Sequence, residues 1–222
     1  MMRRPTPSEL AWPDGPDDGN LATSWAASVS TQVLDWTWRA FDSLQSDFLP
    51  RVDWTQPMEQ VERDIVQNHF GRIQVIFARE TDGFASFYPS HEHPEFETRL
   101  TAKAKPRAYD LAFVATATPR WIWPLEAKIV PSPRALAEYM NDVNDKFIAG
   151  IAAPFTGEGA MIGYLMGADA ETALTEISTR LNQPLKLIPE FPERPHRTSS
   201  HTRISAPNLR LHHMMMKCSD SQ

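Results

Sequence analysis

Two short apolar segments, separated by the length of a hairpin turn, constrain this chain more than any other feature. They are Tyr109-Asp110-Leu111-Ala112-Phe113-Val114 and Ile122-Trp123-Pro124-Leu125-Glu126-Ala127-Lys128. Each has the length and the aromatic and aliphatic content of a buried strand. The connection Thr116-Ala117-Thr118-Pro119-Arg120 is short enough for an antiparallel hairpin. Side chains alternate between the two faces of a strand, so Glu126 and Lys128 share a face and Ala127 takes the other. If the strands pair, Asp110 comes close to Glu126. Two carboxylates and an ammonium then converge at the rim of a sheet, a set able to hold a divalent metal and activate water against a phosphodiester. The plainer alternative is a pair of charges guarding a solvated sheet edge. Against it, Glu126 and Lys128 lie between the apolar run Trp121–Leu125 and Ile129-Val130, inside a strand rather than at a frayed end.

Composition limits the class of protein. A chain of 222 residues reads as one domain with ragged ends and is long enough to bury a full core. Its 41% hydrophobic and 23% charged content is ordinary for a globular protein. The single cysteine, Cys218, excludes an internal disulfide framework and a cysteine-based zinc knuckle. No apolar run spans a bilayer, and the start Met1-Met2-Arg3-Arg4-Pro5 leads into polar residues rather than a signal core. A cytoplasmic protein without membrane contact is expected. The net charge of −6 argues against an architectural DNA binder but not against a nuclease, whose basic residues can be local.

Along the chain, residues 1–20 are rich in Pro, Asp and Gly and predict a disordered arm. A domain is expected over 21–190, and a basic C-terminal segment over 191–222 that ends in a strand packed on the same domain. From Leu21 to Leu49 the pattern is helical, with Val33, Thr37, Phe41 and Leu44 on one face and the adjacent Trp36 and Trp38 expected in the core. A second helix is predicted from a Thr55 cap to Gly71, with Met58, Val61 and Ile65 as its apolar stripe. Arg72–Ala78 alternates as a strand through Ile73, Val75 and Phe77. Residues 79–108 read mostly as loop, with an edge strand at Gly83–Tyr88. After Lys128, Ser132-Pro133 starts a helix carrying Leu136, Met140, Val143 and Phe147 on one face. Gly159–Met166 reads as a buried strand, and Asp169 as the cap of a last helix with Ala170, Leu174, Ile177 and Leu181 inward.

The Asp110 and Glu126-Ala127-Lys128 pair, on strands in this order, resembles the catalytic core of the PD-(D/E)XK, or restriction-endonuclease-like, nuclease superfamily. The resemblance extends over roughly residues 55–182. Tyr109 stands where a proline often precedes the aspartate. The resemblance implies an α/β fold with an α-β-β-β-α-β core, a mixed central sheet and flanking helices. It implies Mg²⁺ as cofactor, with Mn²⁺ able to substitute, held by Asp110, Glu126 and the backbone carbonyl of Ala127. Lys128 would orient water or stabilise charge. An acid from the preceding helix would complete the site. Glu62, beside the buried face set by Val61 and Ile65, is the expected one, with Glu59 the alternative and Asp64 facing away. The implied activity is hydrolysis of DNA phosphodiester bonds, with RNA an open alternative, in the setting of defence against foreign DNA. A partner ATPase or targeting subunit and a homodimer are the implied partners.

His201 and Arg203, in Ser199-Ser200-His201-Thr202-Arg203, are candidates for phosphate contacts, set against a merely solvated tail. Tyr139 and Asp142, on the helix after Lys128, are candidates for substrate contact. His91-Glu92-His93 looks like a metal pair, but the flanking Pro89 and Pro94 favour an exposed loop. No HExxH, CxxC, phosphate-binding Gly-rich loop or Gly-x-Ser-x-Gly motif is present. The competing reading is a non-catalytic nuclease-fold subunit that binds nucleic acid or a partner protein, its charges structural.

Overall fold

The computed structural model of the chain describes residues 18–82, 85–95, 108–132, 134–167, 169–204 and 206–219. The expected N-terminal arm lies outside the described residues as far as residue 17, and so does Pro133; the helix expected to start at Ser132-Pro133 instead begins at Ala137, after Leu136, with no side-chain cap. Helix α1 (Asp18–Asp47) and helix α2 (Met58–Glu80) lead into strands β1 (Phe87–Pro94), β2 (Ala108–Ala115) and β3 (Ile122–Val130). Helix α3 (Ala137–Asp142) continues as a π-helical turn, Val143–Ile148. Then follow β4 (Glu158–Met166), α4 (Ala170–Leu181), β5 (Lys186–Leu187), β6 (His196–His201) and β7 (Leu209–Ser219).

The strands form one mixed sheet in the order β1-β2-β3-β4-β7-β6-β5. β2 pairs antiparallel with β1 and β3, β4 lies parallel to β3 and β7, and β6 is antiparallel to β7 and β5. The parallel step from β3 to β4 needs a crossover, which α3 supplies. The fold is α/β with helices on both faces. α1 and α2 bury Trp36, Phe41, Leu44, Val61 and Ile65 against Leu111, Phe113, Leu125, Ala127 and Ile162. On the other face α3, its π turn and α4 bury Leu136, Met140, Val143, Phe147 and Ile177 against Ala112, Val114, Val130 and Met161. Successive residues of β2 thus enter opposite cores, which is why that strand reads as a continuous apolar run rather than an alternation. Among the described residues no helix is long and apolar enough to cross a membrane.

Three expectations are corrected. Arg72–Ala78 is not a strand. α2 runs through Gly71 to Glu80, and Ile65, His69 and Ile73 form its buried stripe at four-residue spacing. Val75, inward in the strand reading, is 48% exposed. The helix also begins at Met58 rather than at a Thr55 cap, since Thr55 instead hydrogen-bonds Asp53 in the preceding turn. The first strand is β1, which holds His91-Glu92-His93 within the sheet rather than in a loop. As an edge strand β1 tolerates Pro89, whose missing N–H costs no ladder bond because it falls on the open side, and Pro94 is its last residue. His91 stacks on Phe70 and His93 bonds Ser90, so the two histidines are not paired around a metal. Asp169 caps α4 by accepting the Thr172 N–H at 2.7 Å.

Three of the C-terminal histidines, His196, His212 and His213, are internal rather than solvated. Trp38 Nε1–H donates to His196 Nδ1 at 3.3 Å, so the His196 Nε2–H is directed at His212 Nδ1, 3.1 Å away. On the opposite face His213 bonds Tyr139 and Ser199. Under α1, His69 Nε2–H donates to the Thr37 carbonyl at 2.8 Å and its Nδ1 accepts from the Tyr164 hydroxyl at 2.8 Å. Burial pushes the pKa of His69 down to about 4, that of His213 to about 3 and that of His196 to about 2.

Two predictions follow from these corrections. A Cβ at Gly71 meets nothing within 4 Å, so Gly71→Ala in the helix interior stabilises the protein by about 0.5–1 kcal/mol. Thermal melting should rise by about 1–4 °C, whereas a lowered midpoint contradicts a continuous α2. For His69, the unfolded chain takes up a proton below its ordinary pKa of 6.5 and the native chain does not until about 4. Stability is therefore full above pH 6.5 and is lost as pH falls toward 4, at up to about 1.4 kcal/mol per pH unit. Urea melts of wild type and His69→Gln between pH 7.5 and 4.5 should show a shallower acid decline in the variant. Parallel declines contradict a buried neutral imidazole.

Candidate active site

The site begins where β2 and β3 part. Their ladder runs from Val114↔Ile122 to Leu111↔Leu125. One step further the register would oppose Asp110 to Glu126, and no backbone pair forms there. β3 continues to pair with β4 on its other edge as far as Val130. Alternate N–H groups of a strand point to the same edge, so the N–H groups of Ala127 and Ile129 face the side that β2 has left. Side-chain carboxylates take both. Asp110 Oδ2 accepts from Ala127 N–H at 2.8 Å and Glu62 Oε2 accepts from Ile129 N–H at 2.9 Å. The other oxygen of Glu62 accepts from Lys128 Nζ at 3.1 Å.

Two further residues, from α3 and its π turn, complete the group. Lys146 Nζ lies 2.8 Å from Glu126 Oε2 and 3.1 Å from Asp142 Oδ2, and Asp142 Oδ2 is also 3.7 Å from Lys128 Nζ. The charges form an alternating string, Glu62–Lys128–Asp142–Lys146–Glu126, with Asp110 beside it. Glu126 is only 2% exposed, and its Oε1 has no hydrogen-bond partner among the described residues. Burial, and next the neighbouring Asp110 carboxylate, push the Glu126 carboxyl up to about 8, while the Lys146 ammonium works in the opposite sense. Burial penalises the Lys128 ammonium, but Glu62, Asp110 and Asp142 outweigh it and hold its pKa above the ordinary lysine value. Both lysines stay charged at neutral pH.

The structure thus gathers Asp110, Glu126, Lys128 and Glu62. Glu62 rather than Glu59 reaches Lys128, and Asp64 is engaged by Gln60 on the surface. Ala127 contributes its N–H to Asp110 and turns its side chain into the α1–α2 core. A cleft of about 650 Å³ opens beside the group, walled by Met58, Glu59, Glu62, Ile129, Pro131 and Glu138.

Three of the candidates for substrate contact, Tyr139, His201 and Arg203, lie elsewhere. Tyr139 is buried and bonded to His213. Arg203 gives its guanidinium to the carbonyls of Phe147, Ala152, Ala153 and Pro207, so it braces the π turn and the loop after it rather than a phosphate. His201, bonded to Ser199 and Gln183, lines a separate cleft of about 360 Å³ with Glu158, Ser200 and Arg210. Sequence reasoning missed Lys146 and named Asp142 only as a candidate for substrate contact. Their four-residue spacing on the helix after Lys128 was the available signal.

Among the described residues no three His, Cys, Asp or Glu side chains are gathered as a metal-binding group. The donors present are carboxylate oxygens, hard ligands suited to Mg²⁺ or Mn²⁺. Mg²⁺ commonly takes only one or two protein carboxylates and completes its shell with water and substrate phosphate. Asp110 and Glu126, with the unpartnered Glu126 Oε1, fit that requirement. In comparisons with known proteins, no family model, no curated protein and no solved structure matches the chain.

The Glu62–Lys128 contact is partly sheltered, so it couples measurably. A double-mutant cycle of Glu62→Gln and Lys128→Met should give an interaction energy of about 1–2 kcal/mol in urea unfolding. Additivity within about 0.4 kcal/mol would mean that the two side chains do not meet in solution.

Proposed function

We propose that the chain is a metal-dependent endonuclease that hydrolyses DNA phosphodiester bonds on a restriction-endonuclease-like core. The observation that carries this reading is the parting of β2 from β3, which draws Asp110, Glu126, Lys128 and Glu62 to one strand edge beside an open cleft. The element order from α2 through β1, β2, β3 and α3 to β4 agrees with the α-β-β-β-α-β core of the PD-(D/E)XK superfamily, with β1 in place of the strand expected at Arg72–Ala78.

A divalent cation bound at such a site would act as a Lewis acid on the phosphate and lower the pKa of a coordinated water. Asp110 and Glu126 would hold it. The Lys128 ammonium would hold the attacking water and the charge that develops on the phosphate, and Glu62 fixes that ammonium in place. The cleft carries Glu59, Glu62 and Glu138, so a polyanion is repelled there unless cations offset these carboxylates. Strong dependence on divalent cation concentration follows from that charge.

One observation favours a second reading. Both lysines already neutralise carboxylates within the fold, as they would in a non-catalytic subunit with a structural charge network. Cleavage of plasmid and single-stranded DNA in Mg²⁺ or Mn²⁺ separates the two. Asp110→Ala and Lys128→Ala should each lower the rate by about 10²-fold or more, the scale on which a single electrostatic contact acts in a transition state. Cleavage that survives both substitutions sinks the nuclease reading. An inert wild type without Glu126-dependent metal binding supports the subunit.

A further inference from the structure

We propose that Lys146 is the resident cation of the metal site: its ammonium holds Glu126 until a divalent ion arrives, then gives way toward Asp142. The inference rests on the nuclease reading of the same carboxylates and adds how the site is closed and opened.

Three observations carry it. First, Lys146 Nζ lies 2.8 Å from Oε2 of Glu126, a carboxylate assigned to the metal, while Oε1 of the same buried group has no partner among the described residues. A buried carboxylate whose second oxygen is unsatisfied costs free energy, and a dication could engage both oxygens where one ammonium engages one. Second, the landing place for the displaced ammonium already exists. Asp142 Oδ2 is 3.1 Å from Lys146 Nζ, four residues back along the same helical segment. Leaving Glu126 therefore needs a side-chain rotation and no backbone movement. Third, acids outnumber bases. Glu62, Asp110, Glu126 and Asp142 bring four carboxyl groups against the two ammoniums of Lys128 and Lys146, so the site's own cations do not exhaust its acidic groups and a further cation has ligands to take.

The backbone explains why Lys146 points here. It sits in the π turn, where the Ile151 N–H reaches back five residues to the Lys146 carbonyl at 2.9 Å and the Ala149 N–H to that of Asn144 at 3.0 Å. The wider turn changes the angular spacing of side chains, so Phe147 stays in the core while Lys146 is aimed at β3.

The test is Mn²⁺ binding without DNA, by titration calorimetry, on wild type, Lys146→Met, Lys146→Gln, Lys146→Arg, Lys128→Met and Glu126→Gln, with circular dichroism to check folding. Two neutral variants at position 146 guard against one that fails to fold. Lys146→Met and Lys146→Gln should bind Mn²⁺ about tenfold more tightly than wild type, the loss of a competitor whose binding is coupled to the metal's. Lys146→Arg should stay near wild type. Lys128→Met removes the same charge but no contact with Glu126, so it should tighten binding less. Equal tightening in Lys128→Met and Lys146→Met reduces the effect to net charge and overturns the inference. So does Mn²⁺ binding that depends on Glu126 but is indifferent to position 146, which leaves the nuclease reading intact. No Mn²⁺ binding by any of the proteins overturns both.

Discussion

The open edge of β3 beyond Leu125 is the constraint on which the rest of this structure depends. β3 sits in the middle of the sheet, where every N–H needs a partner, yet β2 stops pairing with it at Leu111. An unpaired buried N–H costs about 1–3 kcal/mol, so the two N–H groups left on that edge must be met by something other than backbone. Asp110 and Glu62 meet them, one from β2 and one from α2. A requirement of sheet hydrogen bonding thus recruits acids to one place, and the place is beside Glu126 and Lys128.

Gathering acids in a half-buried pocket creates the opposite problem, since like charges out of water raise one another's protonation. The fold answers with two lysines from different elements. Lys128 shares its strand with Glu126, so it needs no tertiary placement to be near the site. Lys146 arrives from across the α3 layer on the π turn, and it is the residue that touches Glu126. Arg203 anchors the same stretch by bonding the carbonyls of Phe147, Ala152 and Ala153, which ties β6 and its following loop to the geometry of the site. The C-terminal segment therefore supports the site from behind. β7, between β4 and β6, extends the sheet whose centre carries β3 and β4.

Much of the fold was legible because apolar periodicity and sheet geometry are local. The hairpin Ala108–Val130, the capped helix at Asp169 and the shared face of Glu126 and Lys128 required only alternation and capping chemistry. α2 was harder. Its second half puts Ile73, Val75 and Phe77 in alternation, and its true stripe runs through His69, a residue that looks polar until Thr37 and Tyr164 supply its hydrogen bonds. The prolines around His91-Glu92-His93 pointed to a loop because nothing nearby in sequence shows that β1 would be an edge strand. The histidines and Arg203 of the C-terminal segment looked basic and exposed because charge can be read from a residue type, whereas burial depends on what packs over it.

By itself the sequence determined the strand pair, the side on which Glu126 and Lys128 project, and the inward face of the helix that follows them, though not its start. Those depend on a strand's two-residue period and a helix's four-residue spacing. Only the tertiary structure decided that the expected Glu62 reaches both Lys128 and the Ile129 N–H, that Asp142 lies inside the charge string, and that Lys146 rather than solvent faces Glu126. Each of those choices depends on where α2 and the π turn lie against an edge that β2 has vacated. The energy that selects them, the burial of charge and the demand of unpaired N–H groups, exists only once the layers have come together.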